Sequence, residues 1–324
     1  MAVTRNDVAR AAGVSSAVVS YVLNDGPRPV SAAARQRVLE AIDQLGYRRD
    51  IVARSMRTRT TDSIGLVLPD IRIPYFAVMT QRITEVARKS GLSVVVATSN
   101  GSVAIEREHL AELAGRRVDG VILMSVEPLQ ELSWAGAFGM PVLVVDRPIV
   151  AVESSAAATE HLVSHGATRL ARIAGHEGSS VTERRDLGWF RVIESHGLSK
   201  VAEIVRAGYS QDEGYAAARQ LLDRDDPPRG VVVDGPLHAS AFLRAAADLG
   251  VRIPDDVLVI GNEIGDDARF SVPRISSVDS PIDAIAAESV DRLKAASPED
   301  GLLSLGGSVF TLHERESCGH PAGD

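Results

Sequence analysis

The side chains best placed for chemistry in this chain are small and polar, and they lie at the start of a predicted helix that follows Ser15. Ser15 reads as the N-cap of that helix, which turns its apolar side chains to one face. The residues left on its other face, where they can touch another molecule, are Ser16, Ala17, Ser20 and Tyr21. A shorter helix capped by Thr4 comes before it, and Gly13 allows a tight turn between the two. Because such a helix can present its first residues to base edges in the major groove, the pattern predicts a helix-turn-helix DNA reader.

Three short helices must position these residues. The third is capped by Ser31 and ended by Gly46. The predicted apolar faces are Val8, Ala9 and Ala12 in the first helix, Val18, Val19, Val22 and Leu23 in the second, and Val38, Ile42 and Leu45 in the third. The three faces are expected to form one small core.

The charge distribution favours a DNA reader over an ordinary helical hairpin, which would have similar caps. Residues 1–60 hold ten Arg or Lys and five acids, so this part carries a net charge of +5. The remaining residues carry −13, which makes −8 for the whole chain. A basic module on an acidic body is typical of a DNA-binding head that attracts phosphates.

Six short motifs fall in this same region. They are Asp7-Val8-Ala9, Ala12-Gly13-Val14-Ser15, Val19-Ser20, Val22-Leu23-Asn24, Leu45-Gly46-Tyr47 and Ala53-Arg54-Ser55-Met56. Together they resemble the lactose/galactose repressor (LacI/GalR) family of bacterial transcription regulators. The resemblance implies a homodimer on a near-palindromic double-stranded operator, with Ser16 and Ala17 as the main base-reading pair and Tyr21 as a third contributor. Val18 stands where the family usually has Thr, and Tyr21 where it often has Arg or His, so we expect much of the discrimination to come from elsewhere.

The segment from Asp50 to Thr60 reads as a helix too short to be stable alone in water. The resemblance implies a hinge helix that folds on the operator, with Met56 as a wedge between bases in the minor groove where the family usually has Leu. A plain basic linker is the alternative. The expected DNA contacts are Thr4, Ser15, Ser16, Ala17, Ser20, Tyr21, Asn24, Arg35, Ala53, Arg54 and Met56.

From Ser63 onward, short apolar runs alternate with longer amphipathic stretches, which indicates an α/β body with parallel sheets. Predicted strands cover 64–68, 93–97, 120–124, 142–145, 170–174, 231–233, 257–260 and 275–278. Predicted helices cover 75–90, 105–115, 154–165, 184–196, 211–223, 238–249 and 282–295. The resemblance implies a two-lobed, periplasmic-binding-protein-like body, with the chain crossing between lobes near 147–152, near 278–281 and close to the C-terminus.

The expected domains follow from these patterns. They are a helix-turn-helix DNA-binding domain (1–48), a hinge helix or linker (49–62) and an effector-binding and dimerisation domain (63–324). The two lobes are expected at about 63–148 plus 280–300 and about 152–278 plus 305–318.

A small-molecule effector is expected between the lobes, because ligands of open α/β sheets bind beyond the carboxyl ends of the strands. Tyr75 follows the first strand and could stack on a ligand ring. The resemblance adds Arg147, from an Asp-Arg pair, and Arg185, from an Arg-x-x-Gly-aromatic element that ends in Trp189. Guanidinium forks hold vicinal hydroxyls, carboxylates or phosphates. The alternatives are an ion pair for Arg147 and a solvated helix start for Arg185.

Two positions depart from the sugar-reading members of the family. Asp234-Gly235 stands where those members carry Asn-Asp, and Asn262-Glu263 stands where they carry an aromatic residue and Asp. The sequence therefore leaves the identity of the effector open: it could be a hexose, a polyol, another sugar or a cationic ligand, or the protein could have no effector. The expected effector contacts are Tyr75, Arg147, Arg185, Trp189, Asp234 and Glu263.

Other chemistries find no support in the sequence. His161 and His165 are four apart on a predicted helix, but no acidic or thiol partner is grouped with them, so we expect a helix-surface pair and no metal site. Serine-nucleophile, dinucleotide and Walker phosphate motifs are missing, so neither an enzyme nor a cofactor is expected. The single Cys318 fits a cytoplasmic protein, and no apolar run approaches the roughly 20 residues needed to span a membrane.

The sequence therefore predicts a dimeric, operator-binding transcription factor, a repressor in which the effector changes lobe closure. The alternatives are an activator of the same architecture, a solute-binding-protein-like sensor without a DNA-release response, and a sugar-metabolising enzyme that carries a DNA-binding head.

Overall fold

The computed structural model describes residues 3–24, 29–47, 60–126, 131–145, 148–305 and 310–320. The chain divides into two units, Met1–Thr61 and Asp62–Asp324. Three of the expected DNA contacts, Ala53, Arg54 and Met56, lie outside the described residues together with nearly all of the expected hinge, and so does Arg147.

The helices and strands are numbered in chain order. The helices are α1 (Arg5–Ala12), α2 (Ser16–Asn24), α3 (Ala32–Leu45), α4 (Pro74–Lys89), α5 (Val103–Gly115), α6 (Pro148–Ser164), α7 (Ser180–Ser195), α8 (Gln211–Leu222), α9 (Pro236–Leu249) and α10 (Ile282–Ala295). The strands are β1 (Ser63–Leu68), β2 (Ser93–Thr98), β3 (Val121–Leu123), β4 (Val142–Val145), β5 (Leu170–Ala174), β6 (Ala202–Arg206), β7 (Gly230–Asp234), β8 (Leu258–Asn262), β9 (Ser276–Asp279), β10 (Leu302–Leu305) and β11 (Thr311–His313).

The first unit begins and ends its helices where the sequence predicts. Thr4 and Asp7 form a reciprocal capping box at the start of α1, with the Asp7 carboxylate accepting from the Thr4 backbone N–H at 3.0 Å. Gly13 and Gly46 close α1 and α3 with φ of 63° and 62°, a left-handed conformation that favours glycine. The Ser31 hydroxyl accepts from the Ala34 N–H at 3.3 Å, which confirms the cap of α3.

The core of this unit gathers the apolar faces of the three helices. Val8, Val19 and Val38 are fully buried at its centre. The expected stripe of α3 is wrong at one position, since Leu45 is 37% exposed and Ala41 is buried. The turn at Gly46 folds the chain back so that the Tyr47 N–H reaches the carbonyl of Ile42, and Tyr47 packs against this core.

The second unit contains two sheets, which define its lobes. The first sheet has the strand order β10-β4-β3-β1-β2, and all its pairs are parallel. One apolar cluster lies between one face of this sheet and α4 and α10, and another lies on the face that α5 covers. The first lobe is therefore a layer of strands between two layers of helices.

The second sheet has the order β11-β9-β8-β7-β5-β6 and is parallel except for β11, which runs antiparallel to β9. Helices α8 and α9 pack on one face, and α6 and α7 pack on the other. The α/β fold with parallel sheets predicted from the sequence is confirmed.

The chain passes between the two sheets three times. It leaves the first sheet after β4, returns after β9 to form α10, and crosses again between β10, which pairs with β4, and β11, which pairs with β9. Helix α6 begins at Pro148, six residues before the predicted start, so the expected crossing at 147–152 is largely helical. Strand β10 places 302–305 in the first sheet, past the expected end of the first lobe at 300.

Among the residues that the structure describes, no helix combines the length and the apolar character that crossing a membrane requires.

Candidate DNA-reading helix and ligand site

Helix α2 turns its apolar residues inward and its small residues outward. Val19 and Val22 are buried, and Val18 and Leu23 pack partly against the same core. On the other face Ala17 is exposed, and Ser16, Ser20 and Tyr21 are half-buried. Ser15 caps the helix by accepting from the Val18 N–H at 3.3 Å. This face could meet base edges, but its N-terminal residues, Ser16 and Ala17, offer few hydrogen-bonding groups.

Neighbouring residues hold this helix pair in place. Thr4 belongs to the capping box of α1, and Arg35 is exposed on α3. The Arg37 guanidinium donates to the carbonyl of Ala12 at 3.1 Å and so ties α3 to the last residue of α1. This contact was not predicted, because the two residues are 25 positions apart. Asn24 is the last residue of α2.

A buried network of charges occupies the carboxyl edge of the second sheet. The Arg172 guanidinium donates to Asp234 Oδ2 and to Asp186 Oδ1, each at 2.6 Å, and both Arg172 and Asp234 are fully buried. Asp186 also accepts from Arg206, at 2.6 and 3.0 Å. Arg185 Nη1 lies 3.7 Å from Asp234 Oδ2. Arg206 also lies 3.9 Å from the exposed carboxylate of Glu177, so three guanidinium groups contact three carboxylates.

The charges set the protonation state of Asp234. Burial alone would raise the pKa of this carboxyl, but Arg172 and Arg185 outweigh burial and hold the pKa of Asp234 well below its usual range. Burial likewise opposes the charge of Arg172, and its two aspartate partners outweigh it, so the pKa of Arg172 is raised. Asp234 therefore stays ionised, accepts hydrogen bonds from Arg172 and forms an ion pair with Arg185.

Within the part of the chain that the structure describes, two polar atoms next to this network are buried and have no hydrogen-bond partner. They are Nε of Arg185 and Oδ1 of Asn262, whose amide nitrogen donates to Asp234 at 3.1 Å. Leaving such atoms unpaired is costly, so buried sites of this kind commonly receive a ligand or a water molecule. The site thus has one donor and one acceptor ready for a polar molecule.

Helix α7 brings Arg185 to this edge because α7 packs tightly on α6. A Cβ on Gly188 would lie 2.1 Å from the carbonyl oxygen of Val152, so glycine is required for this close approach. The Ser155 hydroxyl donates to the carbonyl of Arg185 at 2.8 Å. Trp189 is 1% exposed and belongs to the apolar cluster under α6 and α7. This burial differs from the expectation that Trp189 touches the effector, and its contacts are those of a core residue.

Two other expected effector contacts line a different space. An open cavity of about 1400 Å³ is bordered by residues of both lobes, including Tyr75 and Glu263. Tyr75 is mostly buried and packs edge-to-face on Phe76, with ring centroids 5.4 Å apart. The Glu263 carboxylate accepts from the Ser280 hydroxyl at 2.5 Å, so it holds the second crossing of the chain.

The structure therefore brings together Arg185 and Asp234, places Tyr75 and Glu263 on the cavity, and buries Trp189 in the core. Sequence reasoning missed Arg172, Asp186 and Arg206 as members of the charged network. The sequence offers little sign of this network beyond Arg172 and Arg206 in or at the end of a strand, because the paired residues are 14 to 62 positions apart.

Comparisons with known proteins agree with this architecture. Residues 4–50 match the model of bacterial regulatory proteins of the lacI family, and residues 159–318 match the periplasmic binding protein-like domain. The chain is 34% identical over 296 residues to the ribose operon repressor of Halalkalibacterium halodurans, with 88% of each protein covered. It is 29% identical over 319 residues to the HTH-type transcriptional repressor PurR of Pasteurella multocida, covering 93% of this chain and 95% of that protein.

A solved structure of the lac repressor dimer bound to operator and the anti-inducer ONPF is similar over nearly the whole chain. Its TM-score is 0.85 at 25% sequence identity, and the match covers 98% of this chain and 99% of that one. The chain therefore belongs to the lacI family of bacterial regulatory proteins and is a DNA-binding regulator of transcription.

Proposed function

We propose that the protein is a dimeric transcriptional repressor whose operator binding is controlled by a small molecule bound between its two lobes. The observation that carries the proposal is Arg185, a buried guanidinium at the carboxyl edge of the second sheet, whose Nε–H finds no partner among the described residues. The similar lac repressor structure is a dimer bound to both an operator and an anti-inducer. This supports a dimer here in which one domain binds DNA and another binds the effector. The proposed domains are 1–48 for DNA binding, 49–62 for the hinge and 63–324 for effector binding and dimerisation.

The DNA-binding unit reads its operator mainly by shape. The exposed Ala17 offers only an apolar contact, such as one with a thymine methyl group, and Ser16 offers a single hydroxyl. The hinge residues Ala53, Arg54 and Met56 supply the remaining discrimination by entering and kinking the minor groove. The net charge of +5 over residues 1–60 supplies the attraction for phosphates.

The effector carries oxygen atoms that accept hydrogen bonds. The buried Nε–H of Arg185 is a charged donor that favours hydroxyl, carboxylate or phosphate oxygens. Asp234 fixes Arg185 in place, and Trp189 fixes the helix that presents it. Tyr75, Glu263 and Arg147 are the proposed contacts from the rest of the cleft.

The proposed repressor works in the cytoplasm and is not an enzyme. Burial raises the pKa of the Cys318 thiol to about 11, so its thiolate is scarce at neutral pH and the residue is a poor nucleophile. An activator of the same architecture would bind the same operator, and a transcription reporter separates the two by the sign of the response.

A salt series on DNA fragments from the gene's own upstream region tests the operator proposal. Specific binding should give a protected, two-fold symmetric site and a measurable salt slope. Weak and uniform binding to all fragments, both near to and far from the gene, would contradict a role for this upstream region as the operator.

The Arg185→Ala variant tests the effector proposal. Pentoses, including ribose, and hexoses are first screened on the unaltered protein by thermal shift, and the sugar that shifts its melting temperature is carried forward. Loss of a charge-assisted hydrogen bond should weaken binding of that sugar about 10- to 100-fold and leave operator affinity unchanged. Arg191→Ala is the matched control, because Arg191 is on the same helix but pairs with Glu153 on the surface. An Arg185→Ala variant that responds at the normal sugar concentration would refute the assignment.

A further inference from the structure

Three histidines and one carboxylate from distant parts of the chain meet on the second lobe. His161 is on α6 and His165 directly follows it, whereas Glu314 and His320 follow β11. The ring centroids are 4.2 Å apart for His161 and His165, 5.6 Å for His165 and His320, and 6.4 Å for His161 and His320. His161 is 5% exposed, so the prediction of a helix-surface pair without an acidic partner is wrong.

Each ring has one nitrogen next to an oxygen acceptor. His161 Nδ1 lies 3.4 Å from Glu314 Oε1, and His320 Nε2 lies 3.0 Å from Oε2 of the same carboxylate. His165 Nδ1 lies 2.8 Å from the carbonyl oxygen of His161. A nitrogen facing an oxygen acceptor must carry the hydrogen, so the other nitrogen of each neutral ring keeps its lone pair.

Two of these lone-pair nitrogens, His161 Nε2 and His320 Nδ1, are buried. Neither has a hydrogen-bond donor among residues 3–24, 29–47, 60–126, 131–145, 148–305 and 310–320. Neutral imidazoles that donate their other N–H to a carboxylate or carbonyl are typical of metal ligands with their supporting acceptors.

We propose that His161, His165 and His320 bind one divalent transition-metal ion such as Zn²⁺, with Glu314 orienting two of the three rings. The ligand atoms are Nε2 of His161, Nε2 of His165 and Nδ1 of His320, and water completes the coordination. Borderline-soft ions such as Zn²⁺, Ni²⁺ and Cu²⁺ favour imidazole ligands, whereas Mg²⁺ and Ca²⁺ favour oxygen.

The spacing of the rings suits such an ion after a small rearrangement. Metal–nitrogen bonds of about 2.0–2.1 Å in tetrahedral geometry place imidazole centroids roughly 5 Å apart, within the observed spread of 4.2 to 6.4 Å. In their present rotamers, no three His, Cys, Asp or Glu side chains of the described residues already form a ligand set. His165 is exposed and His320 is half-exposed, so both rings can turn towards the buried His161.

Metal binding at this cluster would fasten the C-terminal segment to the end of α6. His161 and His165, at the end of α6, are separated from His320 by more than 150 residues of chain, so the ion would act as a cross-link within the second lobe.

Zinc binding to the untagged, full-length protein tests this proposal. Isothermal titration with ZnCl₂ at pH 7.5 should give one ion per chain, and CoCl₂ should give the visible absorption of a tetrahedral site. His165→Ala and His320→Ala should each weaken Zn²⁺ binding at least 10-fold, because loss of a metal ligand should cost no less affinity than loss of a residue that supports one. Both residues are accessible, and unchanged circular dichroism without metal checks that the variants fold.

His313→Ala is the matched control, because His313 is exposed on the neighbouring strand β11 outside the cluster. It should bind Zn²⁺ like the unaltered chain. Failure of the unaltered protein to bind Zn²⁺, Co²⁺ or Ni²⁺ at micromolar concentration overturns the proposal. Equal weakening by His313→Ala, or no weakening by His165→Ala and His320→Ala, overturns it as well.

Discussion

The Asp234→Asn substitution asks how much of the stability of the second unit depends on burial of its charge network. Asp234 Oδ2 and Arg172 Nη2 are 2.6 Å apart and both side chains are fully buried. Asn keeps the shape and one acceptor oxygen but removes the charge, so Arg172 retains only Asp186 as an ionic partner. Removing one member of a buried ion pair costs about 3–5 kcal/mol, and the remaining Asp186 contact places the expected loss near the lower end, about 3 kcal/mol.

The chain contains a matched surface pair for comparison. Arg169 Nη1 and Asp226 Oδ1 are also 2.6 Å apart, but the Asp226 side chain is 70% exposed. Asp226→Asn should therefore cost between 0 and about 1 kcal/mol, because solvent screens the pair in the folded state. The two ion pairs have the same residue types and distance but differ in burial, and Asp234 also accepts a hydrogen bond from Asn262 at 3.1 Å.

Thermal and urea unfolding followed by tryptophan fluorescence measures both variants, and the buried Trp189 reports on this lobe. A loss of about 3 kcal/mol should lower the melting temperature by roughly 6–12 °C, against about 0–4 °C for the surface control. Raising the ionic strength should reduce the effect of Asp226→Asn and leave that of Asp234→Asn nearly unchanged. Equal losses in both variants would refute the claim that burial sets the energy of this network.

Two further predictions concern packing and pH. Gly188→Ala should lower the free energy of unfolding by roughly 1–3 kcal/mol, because its Cβ would meet the Val152 carbonyl oxygen at 2.1 Å. Gly115→Ala, at a helical glycine with open space around it, should instead be neutral or stabilising by up to about 1 kcal/mol, and urea midpoints for both variants check the contrast. Burial and the neighbouring His165 lower the pKa of His161 from 6.5 to about 4 in the folded state. The neutral His161 therefore stabilises the fold fully above pH 6.5, and this part of the free energy of unfolding is lost as the pH falls towards 4. In EDTA, the free energy of unfolding should fall by up to about 3 kcal/mol between pH 6.5 and pH 4. His161→Gln should remove this part of the pH dependence of stability. An unchanged pH dependence in the variant would contradict the assignment to His161.

Local patterns predicted the first unit well because its signals are short-range. The capping box joins Thr4 to Asp7, three residues away, and Gly13 and Gly46 adopt the left-handed turns that their positions require. The eight predicted strands of the second unit are all present. Seven of them lie inside the sheets, and the eighth, β2, is at the edge of the first sheet but carries the apolar run 94–97.

The strands that the sequence did not predict are all at sheet edges. Strands β6, β10 and β11 each have a neighbour on one side only, so polar residues are tolerated along them and the apolar signal fades. In β11 all three residues are exposed. Their partners come from topology, which single-sequence patterns do not encode.

The candidate sites were predicted only where a motif is local. Arg185 and Gly188 fall in one short motif, but Arg172 meets Asp234 across 62 residues of sequence. His161 likewise meets Glu314 only in the folded chain. A charged residue within a strand pattern usually predicts a side chain that faces solvent. The pattern of β5 therefore gives no indication that Arg172 is buried against two carboxylates.

Each of the three crossings of the chain leaves a strand at or next to one edge of its sheet, the first from β4, the second from β9 and the third from β10. Strands β4 and β10 are neighbours at one edge of the first sheet, and β9 and β11 are neighbours at one edge of the second. Because all three crossings leave from these neighbouring strands, we expect rotation about this edge to be the easiest relative motion of the lobes. A ligand between the lobes would then act mainly on the angle between them. Ligands of different size would hold the lobes open by different amounts about the same axis. Substitutions at the crossings, far from any ligand, would change the response by shifting the resting value of the same angle.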